Sequence, residues 1–252
     1  MSPALDEIAT TILERVTYLR CSFTAPPEDG WIRSSDLIAD PERLRAEIDS
    51  TAAGRGTDDP QVAASLYVQS YAFRVPSIAV AAFALELPTP STNPAATAVR
   101  LGRYRPAEVA ILDQTCHHVP ADDFVDALLD EHIAPFIAAV RATTKVGERL
   151  LWGNAAASLA TIFRALDVAP FGDQTVRARA AEFERAASRR LTGLGSYSTL
   201  DTPGAVGWFW TRTNCCLWYQ TASGFMCDDC SLRDPAELTA KRLADLTGST
   251  PA

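Results

Sequence analysis

The residues best equipped for chemistry stand together late in the chain, in "NCCLWYQTASGFMCDDC" (Asn214–Cys230). Four of the six cysteines lie there: the doublet Cys215-Cys216, then ten residues, then the C-x-x-C pair Cys227 and Cys230. Four thiols so close in sequence can converge on one centre, and a thiolate-rich site selects zinc or iron–sulfur over metals that prefer carboxylate or imidazole. Structural zinc modules generally use two C-x-x-C knuckles, each turning both sulfurs onto a single ion. The doublet makes no such knuckle. Adjacent residues of an extended chain send side chains to opposite sides, so both sulfurs reach one small ion only where the backbone bends sharply. A two-iron core offers two ligand positions on each metal and accommodates a doublet more easily. The geometry favours [2Fe–2S]; a four-cysteine zinc site and a thiol-redox switch are the alternatives.

Neighbouring residues have simpler readings beside their chemical ones. Trp208, Phe209, Trp210, Trp218, Tyr219 and Phe225 are expected to pack around the site and keep it dry, with one or two forming an apolar rim for a ligand. Arg212 precedes the doublet and is either a packing arginine or an electrostatic docking point for an acidic ligand or electron donor. Asn154 is expected to make a structural hydrogen bond. A rival metal site, Asp113 with Cys116, His117 and His118 in "DQTCHHVP", is disfavoured because consecutive residues chelate poorly. His132 reads as a core histidine, and Cys21 as a small buried residue. No G-x-G-x-x-G, P-loop, serine-nucleophile or paired-histidine zinc-hydrolase motif occurs, so electrons for any redox role must come from a separate donor.

The elements that must position these residues are mostly helical. Leu5, Ile8, Ile12, Leu13, Val16 and Leu19 recur at helical spacing and predict a first helix over 4–20. Asp40-Pro41, Asp59-Pro60 and Asp234-Pro235 each combine an N-cap with proline at the first helical position. The stripe from Val125 to Val140 is strongly helical but contains Pro135, which predicts a kink or two abutting helices. Further helices are expected over 148–167 and 174–192, the latter stopped by Gly193 and Gly195. Strand signals lie in "TAVRLGRYRPAEVAILD", as a hairpin about Pro106, and in "AVGWFWTRT", which leads into the doublet. The expected fold is α+β, mainly helical with a small antiparallel sheet. Residues 1–252 are read as a single domain, with 1–87 as a possible helical subdomain, 87–98 as a loop or linker, and 206–232 as the cysteine segment.

Composition bounds the partners. A hydrophobic fraction of 47% with 21% charged residues belongs to a folded chain. The formal charge of −8 argues against nucleic acid and anionic membrane surfaces, which need a basic patch. The opening "MSPALDEIATTILER" lacks the basic and apolar runs of a signal peptide. The apolar run Ile78–Leu87 falls short of the roughly 20 residues of a membrane span. A cytoplasmic location without stable membrane insertion is expected, and in a reducing compartment clustered thiols favour metal over disulfides.

The C-C, ten residues, C-x-x-C spacing resembles the FhuF-type ferric-siderophore reductases. Arg212 before the doublet, "LWYQ" after it and "LWGN" (151–154) add to the likeness, which is read over roughly the last hundred residues. Ser231 stands where that family often has proline, which bears on loop shape. The resemblance implies that Cys215, Cys216, Cys227 and Cys230 bind a [2Fe–2S] cluster, with Arg212, Trp218 and Tyr219 as supporting or docking residues. It implies one-electron reduction of a ferric siderophore, with a ferredoxin, flavodoxin or similar donor. A zinc-stabilised binding protein and an iron–sulfur sensor of iron or redox state are the competing functions.

Overall fold

The computed structural model describes residues 5–16, 30–102, 105–167 and 172–248. In chain order, α1 (Leu5–Arg15), β1 (Trp31–Arg33) and α2 (Ser34–Ala39) precede α3 (Pro41–Arg55), α4 (Pro60–Arg74) and α5 (Ser77–Ala84). Four short strands follow: β2 (Thr89–Pro90), β3 (Thr97–Leu101), β4 (Pro106–Ile111) and β5 (Cys116–His117). Then come α6 (Ala121–Val125), a π-helical stretch (Asp126–Ile133), α7 (Ala134–Thr143), α8 (Glu148–Leu166), α9 (Gln174–Ala186) and α10 (Ser188–Leu191). The hairpin β6 (Gly195–Thr202) and β7 (Ala205–Arg212) leads to the cysteines, and α11 (Pro235–Thr247) follows them. The fold is α+β, mainly helical, with small antiparallel sheets.

The aspartate–proline signals open helices as the sequence predicts. Asp40, Asp59 and Asp234 each accept backbone N–H bonds in the first turn of α3, α4 and α11, with proline beside them at the helix start. Helix α8 lies at the centre, packed against α4, α5 and β7, and its small residues Gly153, Ala155, Ala156, Ala157 and Ala160 let neighbouring backbones come close. One apolar cluster extends from Leu5 in α1 to Trp210 in β7. The stretch 87–98 buries Thr89, Thr92 and Thr97, and β2 pairs with β5. No helix among the described residues is long and apolar enough to cross a membrane.

At Pro135 two helical segments abut, as the sequence predicts: the π-helical stretch ends at Ile133 and α7 begins at Ala134, with the proline in its first turn. The helical path widens into π turns just ahead of it, which relieves the clash between the proline ring and the carbonyl four residues back. His132 sits in that widened stretch, buried as expected for a core histidine, with Nδ1 2.6 Å from the Thr92 carbonyl oxygen and Nε2 2.8 Å from the Tyr71 hydroxyl. A carbonyl can only accept, so Nδ1 carries the proton and Nε2 accepts from Tyr71. Helix α5 carries no amphipathic signal because every residue of it is buried. The predicted hairpin is β3–β4, and β1 joins it as a third antiparallel strand in the order β1-β3-β4. The 174–192 helix divides at Ala187, and the first helix is described only to Arg15. Cys21 and Leu19 lie outside the described residues.

Candidate metal centre

Strand β7 pairs with β6 along its full length and delivers Arg212 to the surface of α8, after which the chain leaves the sheet. The backbone does bend sharply just after the doublet, at Leu217, whose φ of 69° lies in the left-handed region. A non-glycine residue there carries about 1–2 kcal/mol of steric strain. The bend turns two backbone donors onto the sulfurs: the Leu217 N–H stands 3.3 Å from Cys215 Sγ, and the Trp218 N–H bonds to Cys216. A single 3-10 turn, Trp218–Gln220, follows.

The loop is then fitted to the helical body by close backbone approach. The Ala222 N–H donates to the Gly56 carbonyl at 3.2 Å, just beyond the end of α3. Gly56 has a φ of +64°, and a Cβ on it would lie 2.7 Å from that of Ala222. Gly224 is also required, since a Cβ there would overlap the Trp218 carbonyl. At the far end, Arg233 donates to the carbonyls of Cys227 (3.0 Å) and Met226 (2.6 Å). Helix α11 returns to β7, where Arg242 donates to the Trp210 carbonyl at 2.6 Å and to Thr211 Oγ1 at 2.9 Å. The cysteine loop is thus held from both sides.

Beneath the thiols runs a buried polar chain. Ser65 of α4 donates to the Cys216 carbonyl at 2.8 Å. Asn154 of α8 donates to the Ser65 carbonyl (2.9 Å) and lies 2.6 Å from its hydroxyl, and its Oδ1 accepts from Arg212 Nη1 at 3.1 Å. Arg212 Nε in turn donates to Asp229 at 2.9 Å, and the Arg212 N–H to the Asp229 carbonyl. Asn154 therefore makes the structural bond expected of it, and links the doublet to the C-x-x-C turn. The "LWGN" glycine has its own reason: a Cβ on Gly153 would collide with the Asn214 side chain, which reaches the Leu150 carbonyl at 3.4 Å. Arg212 is only 3% exposed, so it supports the loop from below and offers no docking surface. Burial works against its charge, but Asp229 and the neighbouring thiols outweigh this and strengthen its hold on the proton.

Cys216 Sγ and Cys227 Sγ face each other 3.7 Å apart, and Cys215 is near enough to Cys216 and Cys230 to feel their charge. Two thiolates on one tetrahedral metal, at about 2.3 Å each, would be about 3.8 Å apart. Among the described residues no three His, Cys, Asp or Glu side chains already gather around one point. The hydrogen bond from Cys227, together with Arg212 and the Trp218 N–H, outweighs burial and lowers the Cys216 thiol to about 6. Burial raises Cys215 to about 11, against the opposing Leu217 N–H, and the same Cys216–Cys227 bond raises Cys227. Soft donors and the Cys216–Cys227 spacing fit a thiolate-bound metal centre, zinc or iron–sulfur.

The aromatic residues divide between two roles. Phe209 and Trp210 are buried, and Trp208 stacks on Tyr197 with ring centroids 3.8 Å apart, on the sheet side. Trp218 packs against Phe225 at 4.5 Å beside the thiols. Tyr219 (43% exposed), Phe225 (59%), Met226 (42%) and Leu232 (55%) are exposed on and just after the loop. In the rival segment, Asp113 Oδ1 is engaged by the N–H and hydroxyl of Thr115, Cys116 is buried, and the two histidines project no shared site. Sequence reading missed Ser65, Leu217 and Arg233. Serine is common in helices, and nothing in its spacing marks Ser65 as the support of a cysteine 151 residues away.

A family model described as "ferric iron reductase FhuF-like transporter" matches residues 65–192, half of the chain. Comparison with curated proteins gave no match. The matched stretch runs from Ser65 to Thr192, so it contains Ser65 and Asn154 but ends before the four clustered cysteines. The similarity therefore lies mainly upstream of the last hundred residues, over which the sequence likeness is read.

Proposed function

The chain belongs to the ferric iron reductase FhuF-like family, and on that premise we propose that it reduces siderophore-bound Fe(III) to Fe(II) by one electron, with Cys215, Cys216, Cys227 and Cys230 holding a [2Fe–2S] cluster. The observation that carries this is the facing of Cys216 and Cys227 at 3.7 Å, with Cys215 and Cys230 on the same loop, which is tied through Ser65 and Asn154 to the family-matched body. When bound, such a cluster supplies a one-electron couple.

The chain's own residues do the rest. The Leu217 and Trp218 N–H groups fix two sulfurs and favour negative charge on them. Arg212 adds buried positive charge beneath the loop, while Asp228 and Asp229 oppose it. Siderophores bind Fe(III) through hard oxygen donors and hold Fe(II) weakly, so one added electron releases the metal. No protein group needs to move a proton. Because the sequence has no nucleotide-binding motif, the electron comes from a reduced carrier such as a ferredoxin or flavodoxin. Residues 1–252 act as one unit in this proposal, in the cytoplasm.

Anaerobically purified protein should be reddish brown, with about two irons and two sulfides per chain and an EPR signal after dithionite reduction. A colourless protein with one zinc overturns the proposal. Cys216→Ser should abolish colour and ferric reduction while leaving the helical circular dichroism in place. Sustained Fe(II) release from a ferric siderophore separates a reductase from a sensor.

A further inference from the structure

Between the hairpin β6–β7 and the helices α8 and α9 lies a cavity of about 140 Å³. Its inner wall is buried and apolar, with Ala156, Ala160 and Phe163 from α8, Ala180 and Phe183 from α9, and Trp210 from β7. Glu184, Thr192 and Gly193 are exposed and mark its mouth. Small residues make the room: three alanines and Gly195 stand on a lining where larger side chains would fill the space. Protein interiors are close-packed and hold few voids larger than a water, so a space of this size is uncommon.

One polar group on the wall has nothing to bind. Trp210 is 5% exposed, and its indole N–H is buried with no hydrogen-bond partner among the described residues. The edge of the ring that carries this N–H lies over Gly195. A Cβ on that glycine would stand 2.2 Å from Trp210 Cζ2 and 2.5 Å from Cε2, the carbon bonded to the nitrogen. The lining hydroxyls are engaged: Tyr197 donates to the Ala160 carbonyl at 3.4 Å and Thr192 to the Ser188 carbonyl at 2.6 Å. Glu184 is the one charged side chain among the described lining residues. A buried water needs roughly 2–4 polar partners, and the inner wall offers a single free donor.

We propose that this cavity is a binding site for a small phenol, a single aromatic ring bearing a neutral hydroxyl. Size limits the ligand to one ring, since an apolar cavity of about 150 Å³ takes up one benzene. The phenol oxygen accepts the Trp210 N–H, and the ring meets an apolar wall that includes Phe163 and Phe183, with which aromatic edge-to-face contacts are favourable. A ring carboxylate is selected against. It would lose its water in exchange for one N–H, on a lining whose charged group is itself a carboxylate. No electron or bond is transferred in this site, so its occupancy does not depend on a metal centre at the cysteines.

The test is titration of the full chain with phenol, toluene and benzoate, followed through the indole N–H signals in protein NMR. Phenol and toluene have the same number of heavy atoms and differ in the hydroxyl alone. Phenol should move one indole signal, the one missing from Trp210→Phe, and should bind about three- to tenfold more tightly than toluene, the worth of one net hydrogen bond. Benzoate should leave that signal in place at the same concentrations. Ala160→Leu, which fills the cavity, should abolish the response to phenol with circular dichroism unchanged. Three results on the wild-type protein alone overturn the proposal: no response to phenol, toluene binding as tightly as phenol, or benzoate matching it. A folded Ala160→Leu protein that keeps its phenol affinity overturns it as well, because the phenol then sits elsewhere.

Discussion

The helical body and the cysteine loop bury their key residues to similar depth but hold them by different means. Around Phe136 the contacts are apolar: its ring stacks on Tyr71 with centroids 3.7 Å apart and lies near Tyr67 at 6.0 Å. Around Cys216 they are hydrogen bonds, passing from Ser65 to Asn154, Arg212 and Asp229. Apolar packing is non-directional and tolerates adjustment, whereas a buried polar chain holds one geometry and fails when a member is lost. The body therefore supplies stability, and the loop's network supplies position.

The largest expected effect lies in the body. Phe136→Ala should cost about 3–5 kcal/mol in urea unfolding, with the whole helical signal shifting together. A shift restricted to part of the signal would show that the body is less cooperative than its single core implies. Next comes Arg212→Met, which strands the Asp229 carboxylate and Asn154 Oδ1. It should cost roughly 3 kcal/mol and expose the loop thiols to an alkylating reagent before the helices melt. If thiol protection and unfolding change together, the loop is as much a part of the cooperative body as Phe136.

His132 gives the body a pH-sensitive point. Burial lowers His132 to about 4, despite the opposing bond to the Thr92 carbonyl. Its unfolded pKa is about 6.5, so between these values the unfolded chain binds the proton and the folded chain does not. Its contribution is complete above pH 6.5, falls as the pH drops, and has lost roughly 3 kcal/mol by pH 4. Denaturation of the wild-type protein and His132→Gln across that range should show a shallower decline in the variant; parallel curves would remove His132 as the cause. The smallest effect belongs to the loop. Leu217→Asn places a residue tolerant of positive φ at the strained bend and should gain roughly 0.5–1 kcal/mol, read as a small rise in melting temperature. A loss would mean that the Leu217 side chain contributes packing that outweighs its backbone strain.

Legibility in the sequence followed the same division. The aspartate–proline starts of α3, α4 and α11 were readable because the cap and the ring act within one turn. The all-buried α5 and the polar strand β6 were not: one presents no polar face, and the other, "GSYSTLDT", has hardly any apolar residues to alternate. Pro135 was visible as a disturbance, but its resolution into π turns depends on what packs around His132. At the site, the four cysteines and their spacing could be read directly. The bend at Leu217 could not, because leucine does not ordinarily take a positive φ.

The sequence alone settles what is local: the candidate site, through thiol type and spacing, and the helix starts, through their aspartates and prolines. These act over a few residues and leave marks in a single sequence. The tertiary structure decided what lies beneath and beside the thiols. Ser65, Asn154 and Arg212 come from three elements far apart in the chain, and Gly56 matters only because Ala222 arrives against it. Such pairings arise when packed helices bring distant backbone groups together, and a buried hydrogen bond can be satisfied by partners at any sequence separation.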